Sequence, residues 1–139
     1  MSSIFTRIIN GEISGRILWR DRVCIAMVDI RPLNRGHVLV IPIKEVDRWT
    51  DLSTGTVTHC MTVAHTIGRA QQELFTPLRV GLIIAGFEVP HAHLHVVPID
   101  AMDHLNFANA DPDADADDLD RVAELLRQTL RRAGHEAVT

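Results

Sequence analysis

The chain has 139 residues, 46% of them hydrophobic and 23% charged, with two cysteines and eight histidines, three of which fall within five positions. That length makes one domain with enough core to fold unaided, and the composition is that of an ordinary globular protein. Two cysteines exclude a disulfide scaffold and a four-cysteine metal module, and apolar runs such as Val38–Ile43 are far too short to span a bilayer.

Met1–Ile13 lacks an apolar run behind a basic start, so no secretory leader is expected and a reducing cytoplasm is the default. The formal net charge is −4, yet six of the eighteen acids are aspartates within Asp111–Asp120. The rest of the chain is slightly basic, which suits a small anionic ligand and equally suits a plain solvated surface. No Lys/Arg cluster resembles a phosphate-backbone footprint, so nucleic acid is not an expected partner.

In chain order, Ile4–Asn10 reads as a short helix with Ile4, Phe5, Ile8 and Ile9 on one side and Gly11 ending it. Ile17–Trp19 and Val23–Asp29 read as strands around a charged turn. Asp29–Gly36 carries Pro, Asn and Gly and is a loop; His37–Ile43 follows as a strand that Pro42 bends or ends. Gly55–Phe75 is the clearest helix, with Val57, Cys60, Met61, Ala64, Ile67, Gln71, Leu74 and Phe75 at helical spacing. Leu78–Ala85 and His93–Ile99 are two more strands, and the short Gly86–Pro90 connection favours antiparallel pairing. Asp111–Asp118 reads as a loosely ordered acidic linker, and Leu119–Arg132 as an amphipathic terminal helix. Strands with two main helices and no regular βαβ alternation mean an α+β fold with a mostly antiparallel sheet of about five strands.

His91-Ala92-His93-Leu94-His95-Val96-Val97-Pro98 carries the chemistry. On a strand, His91, His93 and His95 line one face, with neighbouring Cα atoms roughly 6.5–7 Å apart, while Ala92, Leu94 and Val96 face a core. A sheet has no structural need for such a row, because buried rings need partners and protonated neighbours repel. Two functional readings stand. In one, His-x-His supplies two ligands to a metal, although only Glu88 and Asp100 are nearby carboxylates and no His-Glu-x-x-His is present. In the other, a neutral imidazole attacks an electrophilic phosphorus while a neighbour donates a proton.

His91–Val97 matches, at every position, the His-φ-His-φ-His-φ-φ signature (φ apolar) of the histidine triad (HIT) family of nucleotide hydrolases and transferases. The resemblance extends to Ile4-Phe5…Ile8-Ile9-Asn10-Gly11-Glu12-Ile13 and to Asp29-Ile30…Pro32…Gly36-His37-Val38-Leu39-Val40-Ile41-Pro42, covering residues from about 4 to 99 in the family's order. It implies that His93 is the nucleophile at the α-phosphorus of a nucleotide, forming a nucleotidyl-histidine intermediate. It further implies that His95 hydrogen-bonds the phosphate or leaving group, that His91 orients the nucleophile, and that His37 supports the triad. By the same resemblance Asp29 would accept from the ribose hydroxyls, and Phe5, Ile13, Met27 and Ile30 would wall the base pocket. A single HIT domain over 1–139 is implied: a core to 110, an acidic linker at 111–118 and a helix at 119–134. So is a homodimer with a helix and an edge strand at its interface.

The departures matter as much. Many members hold a structural zinc through Cys-x-x-Cys near the start; here those positions are Ser3 and Thr6, and a histidine that often follows the Ile-Pro block is Glu45. A zinc of that kind is not expected, and the chemistry needs no cofactor. Before the triad, better-known members have an Asn or Gln and a longer Gly-rich loop with Gln and Ser or Thr. This chain has the shorter Ala85-Gly86-Phe87-Glu88-Val89-Pro90, with Glu88 near the hydroxyl position. A carboxylate facing phosphate opposes binding, so Glu88 is expected to point away or pair with a cation; otherwise it acts on a proton, holding a histidine or a leaving amine. Backbone N–H groups at Gly86–Val89 can still bind phosphate oxygens. The expected activity is hydrolysis or transfer at the α-phosphorus of a purine nucleoside phosphoramidate or related conjugate. The alternatives are a nucleotide-binding or interaction module with weak catalysis, and a zinc-dependent hydrolase.

Overall fold

The computed structural model describes Met1–Thr139. Alternation of apolar side chains builds one five-stranded sheet from β1 (Ile17–Arg20), β2 (Cys24–Val28), β3 (Val38–Pro42), β4 (Arg79–Ile83) and β5 (Leu94–Ile99). The strand order is β1-β2-β3-β5-β4, and every neighbouring pair is antiparallel. With two main helices this is the expected α+β fold.

The two helices cover one face. α2 (Thr54–Phe75) starts where Ser53 Oγ accepts the Thr56 N–H at 3.2 Å, and it buries Cys60, Val63, Ala64, Ile67 and Ala70. α3 (Ala116–Arg132) buries Leu119, Val122, Ala123, Leu126 and Leu130 beside it. These side chains meet Ala26, Val28, Val38, Val40, Leu94 and Val96 of the sheet in one core. Each fully buried leucine there contributes roughly 2 kcal/mol of transfer free energy. The residues between them in the strands, Ile25, Met27, Leu39 and Ile41, face the other way and meet Phe5, Ile8 and Ile9 of α1 (Ile4–Ile9). That second face carries the histidines.

The acidic segment differs from its expected form. α3 begins at Ala116, so Asp117 and Asp118 form its first turn, where they complement the helix dipole, instead of belonging to a linker. Asp118 takes a bidentate hydrogen bond from Arg35 at 2.8–3.1 Å, and Asp120 accepts from Arg16 at 2.7 Å. No helix is long and apolar enough to cross a membrane.

Two devices brace the start of β3. Gln71, fully buried on α2, donates to the Gly36 and Val96 carbonyls at 2.8 and 2.9 Å. Gly36 has φ +95°, and an added Cβ would lie 2.6 Å from the Phe75 ring. Gly36→Ala should therefore destabilise by roughly 1–3 kcal/mol. Urea unfolding would measure it, and an unchanged midpoint would contradict the contact.

Candidate active site

Antiparallel register brings the imidazoles together. Val38 pairs with Val96 and Leu39 with His95, which sets His37, at the mouth of β3, beside His95 on β5. Their rings lie 5.1 Å apart, with His37 Nε2 2.9 Å from His95 Nδ1. Leu94 and Val96 point into the helical core, so His95 points to the opposite face, as alternation requires.

The triad departs from a regular row. β5 begins only at Leu94, and His91–His93 form an irregular lead-in. It is held where the Ala92 N–H donates to the Val46 carbonyl at 2.7 Å and the His91 N–H to the Val89 carbonyl at 2.8 Å. The His91 ring turns toward the end of β3, donating from Nε2 to the Pro42 carbonyl at 2.7 Å. His93 and His95 stay together, with ring centroids 4.8 Å apart. All four rings are buried, none more than 4% exposed.

Hydrogen bonds assign the protons. The Leu33 N–H donates to His37 Nδ1 at 2.9 Å, so the His37 proton sits on Nε2 and is donated to His95 Nδ1. His95 therefore carries its own proton on Nε2. His93 Nδ1 lies 2.7 Å from the His91 carbonyl, so it donates there and the Nε2 lone pair is left free. Burial disfavours the cationic form of three of these rings. It pushes His37 down to about 3, helped by His95 and His93; it pushes His95 down to about 4, helped by His93; and it lowers His93 against the opposing pull of the His91 carbonyl. At neutral pH His37, His93 and His95 are uncharged.

Around it, Phe5 meets His93 edge-on at 4.9 Å and His91 at 5.8 Å. Met27 lies in the same apolar cluster, with Ile13 and Val89 packed against it. Ile30 stands apart at 62% exposure, outside that cluster. Asp29 Oδ2 lies 3.5 Å from His37 Nε2, while Oδ1 accepts the Arg31 N–H at 2.8 Å. Burial raises the Asp29 carboxyl to about 6, opposed by the Arg31 N–H and reinforced by the charge of Glu88.

A cavity of about 220 Å³ opens on His93 and His95, lined by Ala85, Gly86, Phe87, Glu88 and Phe107. A larger depression, about 590 Å³, lies between α2 and the end of α3, away from the triad. Of the places expected for Glu88, the pairing with a cation is not made. Glu88 forms no ion pair within the chain and lines the cavity with His93 and His95. Backbone N–H groups of Gly86–Val89 have no partner within the chain.

Two further groups belong to the surroundings of the triad. Phe107, on a 3-10 turn (Phe107–Asn109), meets His95 edge-on at 4.9 Å; no spacing rule points to it from sequence. Ser3, Thr6 and Glu45 close around His91 Nδ1, at 2.7, 3.5 and 4.0 Å. Side chains able to ligate a metal gather at Asp29, His37 and His95, where hydrogen bonds already occupy the facing imidazole nitrogens. They also gather at Asp21, Cys24 and His59, on the side of the sheet covered by α2.

The HIT domain family model matches residues 10–102. A bifunctional bis(5'-adenosyl)-triphosphatase/adenylylsulfatase of Arabidopsis thaliana is 34% identical over 119 residues, spanning 82% of this chain and 63% of the relative. An adenosine 5'-monophosphoramidase of Saccharomyces cerevisiae is 28% identical, spanning 93% of this chain and 81% of the relative. The crystal structure of a Zn-bound histidine triad family protein from Mycobacterium smegmatis superposes with a TM-score of 0.80 at 32% identity, covering 96% of each chain. With the triad motif, the antiparallel sheet that presents it and a family model spanning two thirds of its length, this chain belongs to the histidine triad family.

Proposed function

We propose that the chain is a nucleotide hydrolase or transferase that acts at the α-phosphorus of a nucleoside phosphoramidate or related conjugate. The observation that carries the reading is the proton assignment: His93 keeps a free Nε2 lone pair beside a neighbour, His95, that can only donate from its own Nε2. In the first step His93 Nε2 bonds to phosphorus and the bond to the leaving nitrogen breaks, that nitrogen departing as an amine with a proton drawn from solvent, which the attacking water returns in the second step. Water then displaces His93 Nε2, so that one water is consumed and a nucleoside monophosphate released. His95 donates to a phosphate oxygen, and the free N–H groups of Gly86–Val89 provide further donors. Asp29 takes the ribose hydroxyls, and Phe5, Ile13, Met27 and Ile30 border the base. His91 orients His93 through its carbonyl, and His37 orients His95.

Mass spectrometry of protein quenched during turnover of an adenosine phosphoramidate should show one nucleotidyl adduct, on His93. Turnover without any adduct on the chain would remove the covalent step.

Glu88 favours an amine over a polyphosphate as the leaving group, since an ionised carboxylate attracts one and repels the other. Glu88→Gln should raise KM for a cationic phosphoramidate about three- to tenfold and improve kcat/KM for a dinucleoside polyphosphate. Equal effects on both substrates would remove Glu88 from leaving-group selection.

A homodimer is part of the reading. β4 is an edge strand, and with α2 it borders an apolar groove of about 340 Å³ lined by Met61, Ala64, Gly68, Val80, Gly81 and Leu82. Met61 and Leu82 are 42% and 41% exposed there. Light scattering should give twice the chain's mass, and Leu82→Glu should halve it.

A further inference from the structure

The first histidine of the triad sits in a polar cluster that is not built for a metal. Four side chains meet there, from three separate parts of the chain: Ser3 and Thr6 at the start of α1, Glu45 after β3, and His91. Hydroxyls occupy the two positions where the family resemblance puts zinc thiolates, and neutral hydroxyls are poor zinc ligands. The hydrogen bonds that these groups make leave no convergent donor set. Glu45 Oε1 accepts from the Ser3 backbone N–H and from Thr6 Oγ1, both at 2.7 Å. With its proton committed to Glu45, Thr6 offers none to His91. Ser3 Oγ accepts the Thr6 N–H at 3.1 Å as the helix N-cap and donates its own proton to His91 Nδ1 at 2.7 Å. His91 Nε2 donates to the Pro42 carbonyl. The Ser3 hydroxyl also lies 3.4 Å from Thr6 Oγ1, but its short contact is the one to His91 Nδ1.

We propose that Glu45, acting through Ser3 and Thr6, is a positioning residue that takes over the work of a structural metal. In this reading Glu45 fastens the start of α1 to the triad lead-in and holds His91 as a ring that accepts at Nδ1 and donates from Nε2. Two consequences reach the reacting atoms. The main chain of His91, anchored at both ring nitrogens, presents the carbonyl that orders His93 Nδ1–H. Phe5, two residues after Ser3, keeps its edge against the His93 ring. Two acceptor bonds hold the Glu45 carboxyl down to about 2, so that it stays an acceptor throughout the working range. Cutting this network loosens the nucleophile without removing any group that touches substrate.

The kinetic arm of the test rests on the function proposed above; the spectroscopic and stability arms do not. Nitrogen-15 NMR of wild-type protein should show His91 with an accepting Nδ1 and a protonated Nε2. In Glu45→Ala and Ser3→Ala the His91 Nδ1 resonance should shift as its hydroxyl donor is loosened or lost, while Nε2 stays protonated against the Pro42 carbonyl. Phosphoramidase kcat should fall five- to tenfold in both variants, with KM within twofold. Glu45→Gln keeps an acceptor oxygen and should recover at least half of the wild-type kcat, a rescue that a merely space-filling role would not produce. Dialysis against EDTA should leave the wild-type Tm and the His91 spectrum unchanged. The triple variant Ser3→Cys, Thr6→Cys, Glu45→His should acquire one zinc per chain, with His91 Nδ1 then bound to metal. A wild-type Tm that falls with EDTA and returns with zinc would overturn the proposal. So would a His91 Nδ1 resonance unchanged in both Glu45→Ala and Ser3→Ala. If Glu45→Ala does not fold, Ser3→Ala carries the same readings. A wild-type chain that shows the His91 pattern but no phosphoramidase activity would defeat the proposed function and leave this inference standing.

Discussion

Replacing His93 with alanine should lower kcat for an adenosine phosphoramidate by at least about a thousandfold while nucleotide affinity stays within about threefold. The expectation follows from where the proton lies on each ring. His93 is the only ring of the cluster whose outward nitrogen is unprotonated and faces the cavity beside Glu88 and His95. His95 cannot take over, because the relay from the Leu33 N–H through His37 leaves its proton on Nε2. His91 cannot either, since both its nitrogens are engaged by Ser3 and Pro42. The groups expected to bind nucleotide, Asp29 and the N–H groups of Gly86–Val89, are untouched by the change. Thermal unfolding checks that the variant folds, and titration with a nucleoside monophosphate checks binding. Turnover in His93→Ala within tenfold of wild type would sink its assignment as nucleophile.

Acidification should weaken the fold well before the surface carboxylates titrate. His37 and His95 sit at about 3 and about 4 when folded, and His93 is lowered as well, against about 6.5 in an unfolded chain. Between those limits the unfolded chain binds more protons than the folded one, so stability rises with pH across the window. The contribution is complete above about pH 6.5 and is lost as pH falls toward 4. Asp29 acts in the opposite sense: raised to about 6 from an ordinary 3.8, it binds its proton more readily when folded and offsets part of the loss. The rings titrate as a set, and the net loss between pH 7 and 4 is on the order of 3 kcal/mol. Urea unfolding at half-unit steps of pH should show net uptake of more than one proton per chain on unfolding near pH 5. A flat or falling stability between pH 4.5 and 6.5 would refute burial of neutral imidazoles. Catalysis should persist below the ordinary imidazole range, because His93 is lowered, and fail once His93 is protonated and has no lone pair to attack with.

Much of the architecture was legible because it depends on local periodicity. The apolar spacing of Val57 through Phe75 marks α2, and the alternation of Leu94, His95 and Val96 marks which side of β5 meets the helices. The boundaries that moved are those where local pattern competes with distant contacts. Asp117 and Asp118 read as linker by composition, yet Arg35, some eighty residues earlier, draws Asp118 into the first turn of α3. The triad reads as an uninterrupted strand by alternation, yet the Val46 and Pro42 carbonyls hold Ala92 and His91 off the regular path.

At the site, spacing alone put His91, His93 and His95 near one another, because side-chain direction along an extended backbone is a local property. It could not say which ring attacks, because that depends on where each proton lies, and the partners that decide it come from elsewhere: Leu33 and His37 from the loop before β3, Ser3 from the start of α1 and Pro42 from the end of β3. Glu88 and Phe107 reach the cavity through the length and course of loops, which no periodicity encodes. The amino-acid order by itself determined the α+β class, the histidine motif and the family it resembles, since each rests on neighbours within a few positions. Only the tertiary structure decided the tautomers, the neutral state of His37, His93 and His95 and the polar bracket around His91, since desolvation and hydrogen bonding between distant segments exist only once the chain has folded.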